Sequence, residues 1–345
     1  VVIAAGVLCE LLEDGLVREG PGGSWHNADS LHSNQGGVRD LKVLGIDFTS
    51  SPRRRKPLTC LHCTLDDGVL TAGELEEWAS FDLLEHALRK PGPWIAGIDF
   101  PFGQSRRFIE NIGWPGNWID YATLAGSLGR AEFRATLKSY SAARPFGDKE
   151  HRRKTDVAAS SISPQKLHGV PVGLMFFEGA RRLVEAGVTI PGLQQGDPER
   201  IVVEAYPGAL ARQLISRTSY KNDSRRKQTQ SQFETRHRLL ALILDGDLER
   251  SHSIRVKAPR DLADDPTGDQ LDALLCAIQA AWAWTMRSER YGAPEHIDPL
   301  EGWIADPSLR EARDPAYSAG PSGASAASAG PGSGRLRWNV LRSAT

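Results

Sequence analysis

The chain has 345 residues, 40% of them hydrophobic and 25% charged, with a formal net charge of −1. That is enough chain for a large core, and the balanced charge excludes a protein that coats nucleic acid by bulk charge, although a local basic rim can still hold a phosphate backbone. The four cysteines, Cys9, Cys60, Cys63 and Cys276, suggest no disulfide framework and fit a reducing, cytoplasmic compartment.

Val1 to Leu12 is mostly apolar, but Glu10 interrupts it and no basic segment precedes it, so neither a signal peptide nor a membrane span is expected. The Gly, Ser and Asn residues that follow predict a poorly ordered extension over residues 1–40. Lys42–Phe48 reads as the first strand, and its apolar run Val43-Leu44-Gly45-Ile46 suits a central position covered on both faces. Leu58–Leu65 and Val69–Leu75 flank the turn Asp66-Asp67-Gly68 and predict a hairpin. Helical spacing covers Phe81–Arg89, and Trp94–Phe100 is a second apolar strand stopped by Pro101.

Residues 113–200 read as an insertion. It holds a helix over Trp118–Lys138 with interruptions at Gly126 and Gly129, a charged stretch Arg144–Lys154, and a helix over Glu178–Ala186. Ile201–Tyr206 is a further strand, ended by Pro207-Gly208. The spacing then predicts helices over Gly208–Ser216, Gln230–Leu244 and Asp269–Arg287. The Ala/Gly/Ser/Pro run at 314–334 cannot build a core, so the folded unit should span 41–306 and the tail 307–345. A meander of strands followed by alternating helix and strand is an α/β pattern.

One local echo stands out: Gly45-Ile46-Asp47-Phe48 recurs as Gly97-Ile98-Asp99-Phe100. Both copies set an aspartate at the end of an apolar strand, the edge where α/β sheets bind ligands. Glu204 follows Ile201-Val202-Val203 in the same way, and Asp269 and Asp272 share one face in the first turn of the last long helix. Each acid alone has a plain structural reading, as a turn bond or a helix cap. Together they call for a common counter-charge, and a divalent cation bound by carboxylate oxygens supplies one. Cys60-Leu61-His62-Cys63 has no second metal-spaced pair and sits in a strand, where alternate residues face apart, so zinc is not expected. No phosphate-binding glycine loop and no nucleophile elbow occur.

The segments GIDFTSSP, AGIDFPFG, VVEAYPGAL, DQLDALLCAIQAAWA and EGWI, in that order, resemble the DUF429 family of predicted RNase H-like nucleases. The resemblance implies an RNase H-like α/β fold: a mixed five-stranded sheet with flanking helices, here with a helical insertion. It implies Mg²⁺ or Mn²⁺ as cofactor, with Asp47, Asp99 and Asp272 as metal ligands, Asp269 beside Asp272, and Glu204 kept as the alternative middle acid. The implied reaction is two-metal phosphodiester hydrolysis of a nucleic acid partner, with Asp47 between the ions. Phosphate contacts are expected from at least one of three basic clusters: Arg53, Arg54, Arg55 and Lys56, favoured because they lie in the loop after Asp47, or the basic residues of 144–154 or 221–227. Trp114 and Trp118 could stack on bases, but core or lid packing suits them better. Two other functions share the pattern: a non-catalytic binding domain with a remnant acid site, and a phosphotransferase or ATPase related to sugar kinases and actin. The second lacks the domain duplication and late glycine loop it would need.

Overall fold

The computed structural model describes residues 40–310, apart from Asp223. The expected extension at 1–39 and the tail beyond 310 lie outside the described residues. Strands β1 (Leu41–Asp47), β2 (Leu58–Asp66) and β3 (Val69–Trp78) form an antiparallel meander. Helix α1 (Phe81–Arg89) then leads to β4 (Trp94–Ile98), which returns parallel to β1.

Helix α2 (Arg106–Ile112) follows β4 and leads into the insertion. The insertion runs through α3 (Trp118–Ser127), α4 (Arg130–Ala142), the short α5 (Lys154–Ala158) and α6 (Val172–Ala186). The break expected near Gly129 separates α3 from α4, and Gly129 adopts φ +77 there. Helix α6 starts at Val172, ahead of the expected Glu178, because Val172 to Phe177 are all buried. An opening turn and a half that is apolar on every side has no stripe to read. Beyond it lie β5 (Val188–Thr189), β6 (Asp197–Glu204), α7 (Pro207–Ile215), α8 (Gln230–Leu244), α9 (Glu249–His252), β7 (Arg255–Lys257) and α10 (Asp269–Thr285).

The sheet has seven strands in the order β5-β6-β4-β1-β2-β3-β7, which corrects the expected five. The two extra strands are the edges. β5 has two residues and adds to β6; β7 has three and adds to β3. Segments that short carry no alternation from which a strand can be read.

The sheet is covered on both faces, as the unbroken apolar runs of β1 and β4 require. Val43, Ile95, Ile201 and Val203 point into a core shared with α7, α8 and α10. Leu44, Ile46, Ala96, Ile98 and Val202 point the other way, into a core shared with α1, α3 and α6. Cys60 and Cys63 fall in opposite cores, on either side of a register shift in β2, so they do not converge on one ion. No helix among the described residues is long and apolar enough to cross a membrane.

Candidate active site

The Gly-Ile-Asp echo has a packing reason. β1 and β4 pair in parallel with Gly45 beside Gly97 and Ile46 beside Ile98. Both glycines face α10. A Cβ on Gly45 would lie 1.9 Å from the carbonyl oxygen of Ala273, and one on Gly97 would lie 2.3 Å from that of Cys276. Only a residue without a side chain lets the helix backbone come so near. The isoleucines turn to the opposite core. Two-residue alternation then returns Asp47 to the glycine face, beside Asp99, whose N–H continues the ladder by donating to the Ile46 carbonyl at 3.0 Å. Helix α10 is fully buried from Leu271 to Ala283, and Asp269 and Asp272 occupy its first turn. The close approach at the glycines therefore delivers two helix acids to the two strand acids.

Burial first, and mutual repulsion after it, raise the carboxyls of Asp47, Asp99 and Asp269. Burial, reinforced by Asp269, Asp272 and Asp99, holds the Asp47 carboxyl well above the ordinary carboxylate range, against the pull of Lys221. Asp99 is pushed up to about 7, by burial first and by Asp272 and Glu204 next, again opposed by Lys221. Burial also raises Asp269, opposed by Lys221 and Lys56.

Lys221 is the cation at the centre of this group. Its Nζ donates to Asp272 Oδ2, and the neighbouring Tyr220 hydroxyl donates to Asp272 Oδ1 at 2.6 Å. Burial opposes the charge on Lys221, yet Asp272, Tyr220 and Asp47 hold its ammonium well above the ordinary lysine range. The lysine stem packs on Gly268, which takes φ +77 at the N-terminus of α10. In the sequence, Lys221 stands out only as one member of a basic run. Nothing local says that it turns inward.

Glu204 stands differently. It is 4% exposed and accepts from Phe102 N at 2.8 Å and from Arg153 Nη1 and Nη2 at 2.7 and 2.6 Å. Arg153, only 1% exposed, also bonds both oxygens of Asp156 and the carbonyl of Glu301. Glu301 in turn accepts from the backbone N–H groups of Arg106 and Lys154. The glutamates of the EAYP and EGWI segments thus clamp the insertion onto the sheet, and the counter-charge of Glu204 is an arginine. The available clue was the cost of an ionised carboxylate at the end of a buried strand. That cost announces a partner without saying which.

No hydrogen-bond donor among the described residues reaches the carboxylates of Asp47 or Asp99. An all-oxygen, donor-poor, repelling acid cluster fits a hard divalent cation in kind. Among the described residues no three His, Cys, Asp or Glu side chains are grouped so as to hold a metal ion. Lys221 bonds Asp272 instead.

The expected phosphate-binding loop divides. Arg53, Arg54 and Arg55 are exposed on a tight turn closed by the Arg53–Lys56 bridge. Lys56 is half-buried, and its charge is felt at Asp269. On the insertion side, Arg130 donates to the Ser50 carbonyl at 2.8 Å and so ties down the loop after Asp47. Trp118 is buried, with its indole N–H donating to the Phe102 carbonyl at 2.7 Å, and half-buried Trp114 packs on Phe108. Both therefore serve the core of the insertion.

A family model described as "Protein of unknown function (DUF429)" matches residues 45–297, a span that holds all five acids and the clamp arginine. Neither the curated proteins nor the solved structures contain a match.

Proposed function

Since the chain belongs to the DUF429 family, whose description assigns no reaction, we propose from the site itself that it is a divalent-metal-dependent phosphodiester hydrolase acting on nucleic acid, with an RNase H-like core. The observation that carries this reading is the placement of Asp47, Asp99, Asp269 and Asp272 at one sheet edge, with the first two receiving no hydrogen bond to their carboxylates among the described residues. The strand arrangement supports the fold half: an antiparallel meander β3-β2-β1 is extended by the parallel strands β4 and β6.

Asp47, Asp99 and Asp272 would hold Mg²⁺ or Mn²⁺, which when bound supplies an activated water and charge neutralisation at phosphate. The chain's own contribution is placement. Gly45 and Gly97 set the depth of α10, and with it the distance from Asp272 to the strand acids. Tyr220 orients Asp272 through one oxygen. Asp269, raised by burial, stands ready to accept a proton at the rim. Glu204, paired with Arg153, belongs to the support of the site.

A second reading is favoured by one contact. The bond from Lys221 to Asp272 neutralises part of the cluster without any metal, as would suit a nucleic-acid-binding domain with a retired acid site. The discriminating experiment incubates the protein with labelled single-stranded, duplex, hybrid and branched nucleic acids in Mg²⁺ or Mn²⁺, beside Asp47→Asn and Asp99→Asn. Metal-dependent cleavage lost in both variants supports the hydrolase. Binding without cleavage, and without any effect of metal on stability, supports the second reading.

A further inference from the structure

The loop that delivers Lys221 to the acids also walls a cleft on its other side. This cleft, of about 400 Å³, lies between α7, Ser160 and residues 216–221. That is the size range of small-ligand sites. Its charge is one-sided. Arg212, Arg217 and Lys221 line it, and among the described residues no carboxylate does.

The cations differ in a useful way. Arg212 is half-buried and fixed: it donates to the Ala159 carbonyl, and its guanidinium lies 5.2 Å from the centre of the Tyr206 ring. A guanidinium has five N–H donors; besides the Ala159 carbonyl, one reaches the Tyr206 hydroxyl at 3.5 Å, and the others have no hydrogen-bond partner among the described residues. Arg217 is exposed and has neither an ion pair nor a hydrogen bond among the described residues. Around it, Ser216 and Thr218 present exposed hydroxyls with no side-chain partner among the described residues. Ser216 holds φ +56 and ψ −135, a backbone conformation that residues with a side chain rarely adopt. At the inner end stands Lys221, bonded to Asp272.

We infer that this cleft is a phosphate subsite: it takes a phosphodiester neighbouring the one presented to the acids, gripped by Arg212 and Arg217 and capped by the 216–219 hydroxyls. Guanidinium forks and hydroxyls are the donors that match phosphate oxygens. The inference rests on the nucleic-acid reading above only for its choice of ligand, since free phosphate and nucleotides share the same chemistry.

The test is done in chelator, so that it depends on neither metal nor cleavage. Inorganic phosphate, a nucleoside monophosphate and a short single-stranded oligonucleotide are titrated by calorimetry into the wild-type protein, Arg217→Ala and Arg212→Gln. A triple alanine variant of Arg53, Arg54 and Arg55 serves as the competing surface. The subsite predicts that the oligonucleotide binds about tenfold more weakly in each cleft variant. The slope of log affinity against log salt should fall by roughly 0.7 for each phosphate contact removed. Arg217 is exposed, so its variant reads binding with the fold intact, which a thermal melt confirms. A mononucleotide that binds and an oligonucleotide that does not would keep the phosphate subsite and refute the nucleic-acid reading. Unchanged affinity and slope in both cleft variants, with loss in the triple variant, would overturn the subsite. So would the failure of all three ligands to bind.

Discussion

Replacing Lys221 with methionine separates the two readings of the acid site. Asp272 is fully buried, and Lys221 is the cation bonded to it. Removing one partner of a buried pair costs about 3–5 kcal/mol, because the other charge is left uncompensated. Here the lysine side chain is 34% exposed, so water already screens part of the attraction and about 2–3 kcal/mol is expected. Methionine keeps most of the stem that packs on Gly268, so the loss is electrostatic. Urea unfolding without divalent ions should register it as a lower midpoint at unchanged slope. Adding Mn²⁺ should then stabilise the variant more than the wild type, because a cation can enter where the ammonium stood. Binding at a hundredfold excess over Kd contributes about 2.7 kcal/mol, enough to close the gap. A variant as stable as wild type in chelator would refute the view that Lys221 neutralises the cluster. A variant that is destabilised but gains nothing from Mn²⁺ or Mg²⁺ would leave the cluster without metal affinity and favour the binding domain.

Further predictions concern the support of the site. Gly45→Ala or Gly97→Ala forces a methyl against the backbone of α10, at 1.9 or 2.3 Å from a carbonyl oxygen, and should destabilise the fold by about 3 kcal/mol or more in urea titrations. Near-wild-type stability would mean that α10 packs further from the sheet. Arg153→Met strands Glu204 and Asp156 and should cost about 3–5 kcal/mol, with faster proteolysis of the 103–170 segment as the local readout. Glu204→Gln should lower stability while leaving Mn²⁺ affinity unchanged, whereas a tenfold loss of affinity would put Glu204 among the ligands. His252, fully buried and with its Nε2 unpaired, is pushed down to about 4 by burial, with Asp306 pulling the other way. Its folded value is depressed, so the unfolded chain takes up the proton first. Stability should fall as pH drops from about 6.5 to about 4, by up to about 3 kcal/mol relative to His252→Leu. Parallel pH curves for the two proteins would remove His252 as the cause.

Much of the framework was legible because it rests on local periodicity. Helices α1 and α8 begin and end where their apolar spacing does, and the β2–β3 hairpin turns at Asp67-Gly68 because that pair accepts positive φ. The repeated Gly-Ile-Asp marked both site strands, since alternation ties each aspartate to the face of its glycine. The sequence by itself therefore determined the types of the longer elements, the mixed α/β class and the family. It also singled out the acids at strand ends and at the start of α10. What it could not determine is which charge answers which. Arg153 and Lys221 lie in basic stretches that resemble solvated loops, and each reaches its carboxylate across 51 residues of chain. The sheet order and the depth of α10 set those distances, and they also separate Glu204, matched to an arginine, from Asp47 and Asp99, which have no side-chain donor among the described residues. Electrostatic partnership depends on separation in space and on burial, and the tertiary structure alone decides both.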